Sequence, residues 1–279
     1  MKIIAKEKIA ENLTKFIIDS PLIAEKALPG QFIVLMVNEK GERIPLTIVR
    51  ADKEQKTITI IFQEVGYTTK LLGAMEAGES LYSLVGPLGE PTPIKNYGNV
   101  IVLGGGVGIA ELLPIAGALK NAGCRVTSIL GGRTAELVIL KEQIEKASDD
   151  LYITTDDGSL GEKGLVTDPL KQLLEKSIDY GLVFCVGPLP MMMAVSEVTR
   201  GFKIKTLVCL NSIMIDGTGM CGCCRATING ETKFTCVDGP NFDGHQVDFK
   251  ELMARQKRFI EHEKKSMCKL QEKIDKATA

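Results

Sequence analysis

The stretch NVIVLGGGVGIAELLPIAGALKNAG, Asn99 to Gly123, restricts the fold more than any other. An apolar run ends in glycines, a helix-period segment follows, and Gly123 closes it. RVTSILGG is then a second buried strand, ELVILKEQIEKA reads as a second helix, and LYITTDDG and GLVFCVGP read as further strands. Parallel strands need a crossover of a dozen or more residues, usually a helix. Strand and helix alternating in this way predict an α/β domain over residues 97–206, a doubly wound parallel sheet.

The chain before it has another rhythm. QFIVLMV, IPLTIV and TITIIF are short runs rich in Ile, Val and Thr, separated by the polar turns NEKGER and ADKEQK. Evenly spaced strands of this kind predict a small antiparallel β-barrel over residues 1–96. VGPLGEPTPIKNYG, with three prolines and three glycines, marks the boundary. Residues 207–248 carry a cysteine-rich loop, and residues 249–279 read as a charged C-terminal helix. The fold class is thus multidomain, β then α/β, with a small third domain.

Of 279 residues, 25% are charged and the formal net charge is −1, which gives no footing for nucleic acid or an anionic membrane. No apolar run is long enough to span a bilayer, and MKIIAKEKIAENL lacks a signal-peptide core, so a cytoplasmic location is expected. That compartment keeps thiols reduced, so eight cysteines, clustered in part, point to metal and not to disulfides.

The metal candidate is DGTGMCGCC, followed by Cys236 in KFTCVDGP. With Asp216 as first ligand the pattern is D-x4-C-x2-C-x11-C through Cys221, Cys224 and Cys236. Putting cysteine for the aspartate gives the C-x4-C-x2-C spacing of plant-type [2Fe-2S] proteins. Cys223 is the spare thiol, because adjacent cysteines rarely point at one iron. Zinc is the competing assignment, although zinc sites usually come as two separated CxxC pairs. Asp216 itself has two readings, an oxygen ligand or a cap on the Gly217–Gly219 turn.

Two further loops suit phosphate. Gly104, Gly105, Gly106 and Gly108 lie between a strand and a helix, where free N–H groups and close backbone approach favour a nucleotide. Ile109 breaks the strict GxGxxG pattern, and the second strand ends in Gly131, Gly132 and Arg133 with no acid for a ribose. In the barrel, Arg43 and Thr47 of GERIPLTIV and Gly66, Thr68 and Thr69 of EVGYTTKLL are candidates for a pyrophosphate; either segment alone also reads as an ordinary strand or turn.

RIPLT, GYTTKLL, GPLG, LGGGVGIAELLP, TDDGS and DGTGMCGCCR…CVDGP, in that order, resemble the ferredoxin-NADP reductase superfamily over nearly the whole chain. Within it the chain resembles the branch that holds the electron-transfer subunit of dihydroorotate dehydrogenase B. It is more similar still to the small subunits of NADH-dependent reduced ferredoxin:NADP oxidoreductases, also described as sulfide dehydrogenase beta subunits. The resemblance implies an FAD-binding barrel over 1–96, a pyridine-nucleotide domain over 97–206, and a [2Fe-2S] domain over 207–248. It implies that Pro45, Leu46, Thr47, Gly66, Thr68 and Thr69 meet FAD, with Ile61 and Gln63 on the strand flanking the ring. Gly106, Val107 and Gly108 fall on the nucleotide loop, and Asp156, Asp157 and Gly158 on the nucleotide side. It also implies Asp216 as an oxygen ligand, since the dihydroorotate branch has a cysteine there and the closer family an aspartate.

Two departures stand out. Ile44 takes the place of the superfamily's arginine, leaving Arg43 one residue out of register. CVGP replaces Cys-Gly-Pro, so Cys185 is assigned no catalytic role. No side-chain catalyst is expected, because hydride transfer between nicotinamide and flavin is cofactor chemistry that the protein orients. His245, His262 and the run Met191–Met193 read as surface or packing residues.

The implied function is an oxidoreductase subunit with FAD and a [2Fe-2S] cluster. It exchanges hydride with NAD(H) and passes single electrons to a larger flavin/iron–sulfur partner in a heterodimer. That partner reacts with NADP(H) and ferredoxin, with flavin-based electron bifurcation as one mode. Arg133 keeps NADP(H) open, since an arginine there could meet a 2′-phosphate. The alternatives are the dihydroorotate dehydrogenase B subunit and, in another class, a non-redox zinc- and nucleotide-binding regulatory protein.

Overall fold

Period-two burial builds the N-terminal unit. The strands are β1 (Ile3–Ala10), β2 (Leu13–Asp19), β3 (Phe32–Met36), β4 (Ile44–Thr47), β5 (Arg50–Asp52), β6 (Thr57–Gln63) and β7 (Ser83–Leu88), with helices α1 (Pro21–Lys26) and α2 (Tyr67–Ala74). The computed structural model describes residues 1–176 and 178–278, with side chains as far as Leu270. The strands pair antiparallel in two sheets, ordered β1-β2-β6-β5 and β4-β3-β7. The chain crosses between them after β4: the Ile48 amide donates to the Gln31 carbonyl at 3.1 Å and the Val49 amide to Thr59 at 2.9 Å. A bridge between Lys2 and Ser80 ties the opposite side, so the sheets enclose one core as a barrel. Ile58, Ile60 and Phe62 of β6 point into it, and Phe16 meets Phe62 edge to face at 5.2 Å. Truncating either ring to alanine would cost about 3–5 kcal/mol.

The second unit is a seven-stranded sheet. It contains β8 (Asn99–Gly105), β9 (Arg125–Gly132), β10 (Asp150–Thr155), β11 (Glu162–Lys163), β12 (Tyr180–Val186) and β13 (Thr206–Cys209). The order β11-β10-β9-β8-β12-β13 is parallel throughout, and an antiparallel strand, β16 (Asn241–Asp243), closes the far edge. Helices α3 (Gly108–Asn121) and α4 (Lys141–Lys146) cover one face, and α5 (Thr167–Leu174) and α6 (Leu189–Gly201) the other. Both faces being buried explains the unbroken apolar runs: Val100 and Val102 face the first helix layer, Ile101 and Leu103 the second. Met192 is buried in the second layer, where it packs the start of α6.

The cysteine-rich segment adds the hairpin β14 (Arg225–Ile228) and β15 (Glu231–Phe234) and then β16 (Asn241–Asp243), before α7 (Phe249–Gln256) and α8 (Ile260–Thr278). Three expectations change here. The domain boundary at 206/207 falls inside β13, and β16 pairs with β13 through Leu207–Asp243, Val208–Phe242 and Cys209–Asn241. The cysteine segment is therefore an excursion from the edge of the nucleotide sheet. ELVILKEQIEKA is not one helix: Ala135–Leu137 form a 3-10 turn, and α4 starts only at Lys141, after Leu140 at φ 53°. Val138 and Ile139 are drawn into the core, which interrupts the helix. The tail is two helices joined through Lys257–Phe259.

Candidate functional site: three loops at one junction

The order of the sheet reverses between β8 and β12, and ligands of such sheets bind in the crevice at that point. The glycines there are required by close approach. A Cβ on Gly105 would lie 2.4 Å from Met191 Sδ, and one on Gly108 would lie 2.8 Å from the Val186 carbonyl oxygen. Gly106 donates its amide to the Gly131 carbonyl at 3.0 Å, while Ile109 and Ala110 donate to Gly106 and Val107. The amides of Val107 and Gly108 thus have no backbone acceptor among the described residues, and they are the loop's donors for a phosphate.

The neighbouring strand ends lie on the same edge of the sheet. The amides of Asp156 and Asp157 donate to Gly132 and Arg133, so exposed Arg133 sits beside the TTDDGS turn. Asp157 accepts from its own turn, from the Ser159 amide at 2.9 Å and hydroxyl at 2.6 Å. The Ser159 hydroxyl hydrogen bonds, first of all, and then its amide hold the Asp157 carboxyl below its usual range.

The segments assigned to the flavin also converge. Thr68, at the start of α2, donates to Glu42 at 2.9 Å, which ties that helix to the turn before β4. Thr69 closes the turn with Gly66, and Pro45, Leu46 and Thr47 lie half-buried along edge strand β4. Arg43 is exposed beside them. Gln63 is half-buried at the end of β6. Ile61 is 6% exposed and belongs to the core under α3, with Leu13 and Val49, so in this structure it packs the barrel onto the second unit.

The cluster loop rests on this barrel. Cys224 and Cys236 are buried with Met214 against Phe32 and Val34 of β3. Gly217, at φ 79°, passes so close that a Cβ would lie 2.7 Å from Leu88 Cδ1 and 3.0 Å from Val34 Cγ2. The proposed donors fall into two pairs. The Cys224 and Cys236 sulfurs are 3.1 Å apart. Asp216 accepts from the Cys221 amide at 2.9 Å and, through its other oxygen, from the Thr218 amide at 2.9 Å. The Thr218 amide, first, and the Cys221 backbone and side chain keep its carboxyl below the usual range. Burial, and then the Cys224 thiol, push the Cys236 thiol up. Such thiols stay protonated until a metal displaces the proton. Among the described residues no three of these side chains converge on a single metal position; two pairs on one glycine-rich loop suit a two-iron centre of the [2Fe-2S] type and not a single zinc. Cys223 stands outside the pairs, its carbonyl accepting from Arg255 at 3.3 Å. His245 packs against Thr199 at 3.0 Å, away from these donors.

One group was missed in the sequence. Glu111, in the first turn of α3, is half-buried between Thr47 of β4 and Cys209 at the end of β13, whose Sγ lies 3.9 Å from Glu111 Oε2. Burial pushes its carboxyl up to about 7, against the opposing hydrogen bonds from Thr47 and Cys209. The signal was a lone acid in the apolar run GIAELLPIAGAL.

Residues 211–248 match the family model described as the iron–sulfur cluster binding domain of dihydroorotate dehydrogenase B. A Thermotoga maritima relative, the dihydroorotate dehydrogenase B (NAD(+)) electron transfer subunit homolog, is 46% identical over 263 residues, 94% of this chain and 93% of its own. The corresponding electron transfer subunit of a Geobacillus species is 31% identical, over 88% of this chain and 97% of its own. Among solved structures, a chain of the NADH-dependent reduced ferredoxin-NADP oxidoreductase, studied for flavin-based electron bifurcation, superposes with a TM-score of 0.91 at 45% identity, over 96% of this chain and 97% of that one. The chain belongs to the family of dihydroorotate dehydrogenase B electron-transfer subunits and their homologues, with the barrel-plus-nucleotide-domain fold of ferredoxin reductases.

Proposed function

We propose that this chain is the electron-transfer subunit of an NADH-dependent reduced ferredoxin:NADP oxidoreductase. It carries FAD and a [2Fe-2S] cluster, and it works with a larger flavin/iron–sulfur subunit that reacts with NADP(H) and ferredoxin. One observation carries this reading: the cluster loop is seated on β3 and β7, in the same three-stranded sheet whose edge strand β4 holds Pro45–Thr47. A two-electron carrier at β4 and a one-electron carrier on that loop would then be neighbours. When bound, flavin accepts a hydride and releases electrons singly.

The chain's own residues bind and orient. The amides of Val107 and Gly108 hold the nucleotide phosphates, and the edge formed by Arg133, Asp156, Asp157 and Gly158 holds the adenosine end. Thr47, Gly66, Thr68 and Thr69 hold the flavin. Asp216, Cys221, Cys224 and Cys236 would hold the cluster, which supplies one-electron transfer when bound. Ile215, Met220 and Val237 around the loop are 50%, 89% and 43% exposed, an apolar rim suited to the partner subunit. Eight free cysteines suit the reducing cytoplasm, and among the described residues no helix is long and apolar enough to cross a membrane.

Matches named for dihydroorotate dehydrogenase B favour a second reading, the electron-transfer subunit of that enzyme. Co-purification from the source organism separates the two by the identity of the partner. Purified protein should show flavin bands over broad iron–sulfur absorption, and NADH should reduce it faster than NADPH in stopped flow. Zinc without iron or acid-labile sulfide would overturn the cluster, and a clear NADPH preference would assign Arg133 to a 2′-phosphate.

A further inference from the structure

The residues that meet at Glu111 come from three directions. Thr47 belongs to the strand assigned to the flavin, Glu111 follows the nucleotide loop by three residues, and Cys209 ends the strand from which the cluster excursion departs. The carboxyl therefore lies where the flavin strand, the nucleotide helix and the cluster segment adjoin.

Its surroundings are otherwise apolar or neutral. The core under α3 presents Val100, Val102, Val126 and Leu130 from β8 and β9. From β13 comes the Cys209 thiol, and beyond it from β12 the Cys185 thiol; burial pushes both up, so both stay neutral. Among the described residues no Lys, Arg or His contributes to the state of Glu111. A carboxyl in such a place changes protonation near neutral pH and has no partner that locks it in the charged form.

We propose that Glu111 is the proton acceptor for the flavin, taking up the proton released when the reduced cofactor gives its electrons away. This rests on the functional reading above. The balance requires such a group. NADH passes a hydride, two electrons and one proton, to FAD and leaves as NAD+. The reduced flavin then delivers two electrons, one at a time, to one-electron carriers, and regenerating FAD leaves one proton. The Glu111 carboxylate accepts that proton and passes it to water. Thr47 and Cys209, each hydrogen-bonded to the carboxyl, are positioning residues.

The test uses the holoprotein, reduced with one equivalent of NADH and then mixed with ferricyanide as a one-electron oxidant, with flavin absorbance recorded from pH 5.5 to 8.5. The two half-reactions are compared in each variant. Glu111→Gln should slow reoxidation relative to reduction by about a hundredfold or more, the range for loss of a general base. It should also abolish an inflection near neutral pH. Glu111→Asp should restore part of the rate. Independently of turnover, the infrared band of a protonated carboxyl should titrate near neutrality in the wild-type protein and be missing in Glu111→Gln. Unchanged reoxidation and pH profile in Glu111→Gln holoprotein would overturn this inference alone. Protein that purifies without FAD and iron would overturn the functional reading and this inference with it.

Discussion

The nucleotide loop and the cluster loop are both glycine-rich, and they are held in opposite ways. In the nucleotide loop Gly105 and Gly108 are enforced from outside, since Val186, Gly187, Pro188 and Met191 at the β12–α6 connection occupy the space where their Cβ atoms would go, and Gly104 is pressed by Ile109 and Leu112 of α3. That loop is framed by two central strands, β8 and β12, and by the fully buried Ile109 and Leu112 of α3. The cluster loop is framed on one side only. Cys224 and Cys236 are 2% exposed and already paired, whereas Cys221 is exposed and Met220 is 89% exposed. Packing thus shapes a phosphate cradle before the ligand arrives. For the metal, packing buries one donor pair, and the other is ordered by hydrogen bonds within its own turn and by the contact of Gly217 with the barrel.

The harshest test of this contrast is to remove donors. Cys224→Ser and Cys236→Ser should abolish iron and acid-labile sulfide outright, Cys221→Ser should leave a labile remnant, and Cys223→Ser should keep full content; bleaching by Cys223→Ser alone would show the ligand register to be wrong. Removing the iron while leaving the sequence intact comes next. Amide exchange should rise by orders of magnitude across 216–223 and hardly change across 104–108. Equal loss of protection in both loops would erase the distinction. Gly108→Ala probes the packed side. Its Cβ meets backbone atoms at 2.8 and 3.0 Å that cannot swing aside, so a loss of about 1–3 kcal/mol is expected in denaturant titrations, with the iron content kept. The mildest change is Asp216→Cys, which should retain the cluster and raise its reduction potential, because a carboxylate is a harder donor than a thiolate and favours ferric iron. Asp216→Ala should lose cluster or alter the electron paramagnetic resonance signal, and an alanine variant with full cluster and an unchanged signal would reduce Asp216 to a turn residue.

Strands and helices were legible where local pattern and burial agree. TITIIF is period-two and became β6, and NVIVLGGG is apolar throughout and became the central strand β8. The pattern misled where tertiary packing overrode it. ELVIL has helical composition, but the core takes Val138 and Ile139 and leaves the helix to begin later. The third domain looked separate because its composition changes at residue 207, yet the β13–β16 pairing, three residue pairs long, attaches it to the nucleotide sheet. Within the site, the cysteine spacing and the glycines of the nucleotide loop were visible in the sequence, whereas the barrel's flavin residues and Asp216 as a ligand came from the family resemblance and not from local pattern. Glu111 came from neither, because its partners Thr47 and Cys209 lie far away in sequence and only the fold brings them together.

The pairing of β13 with β16 has a mechanical consequence. The chain leaves the sheet at Cys209 and returns at Asn241, so the intervening residues form a tether with both ends clamped to one edge. Closing a flexible tether of about thirty residues costs on the order of 3 kcal/mol in chain entropy. The three residue pairs between β13 and β16 offset that cost, helped by the Leu210 amide on Pro240 and by Asn241 reaching Thr92 of the barrel. A cluster held by Asp216, Cys221, Cys224 and Cys236, as proposed above, would join the start of the tether to its far end and act as a rivet through it. The centre that relays electrons is then also a fastener of the sheet that binds the nucleotide, and its loss would slacken the electron entry as well as the exit.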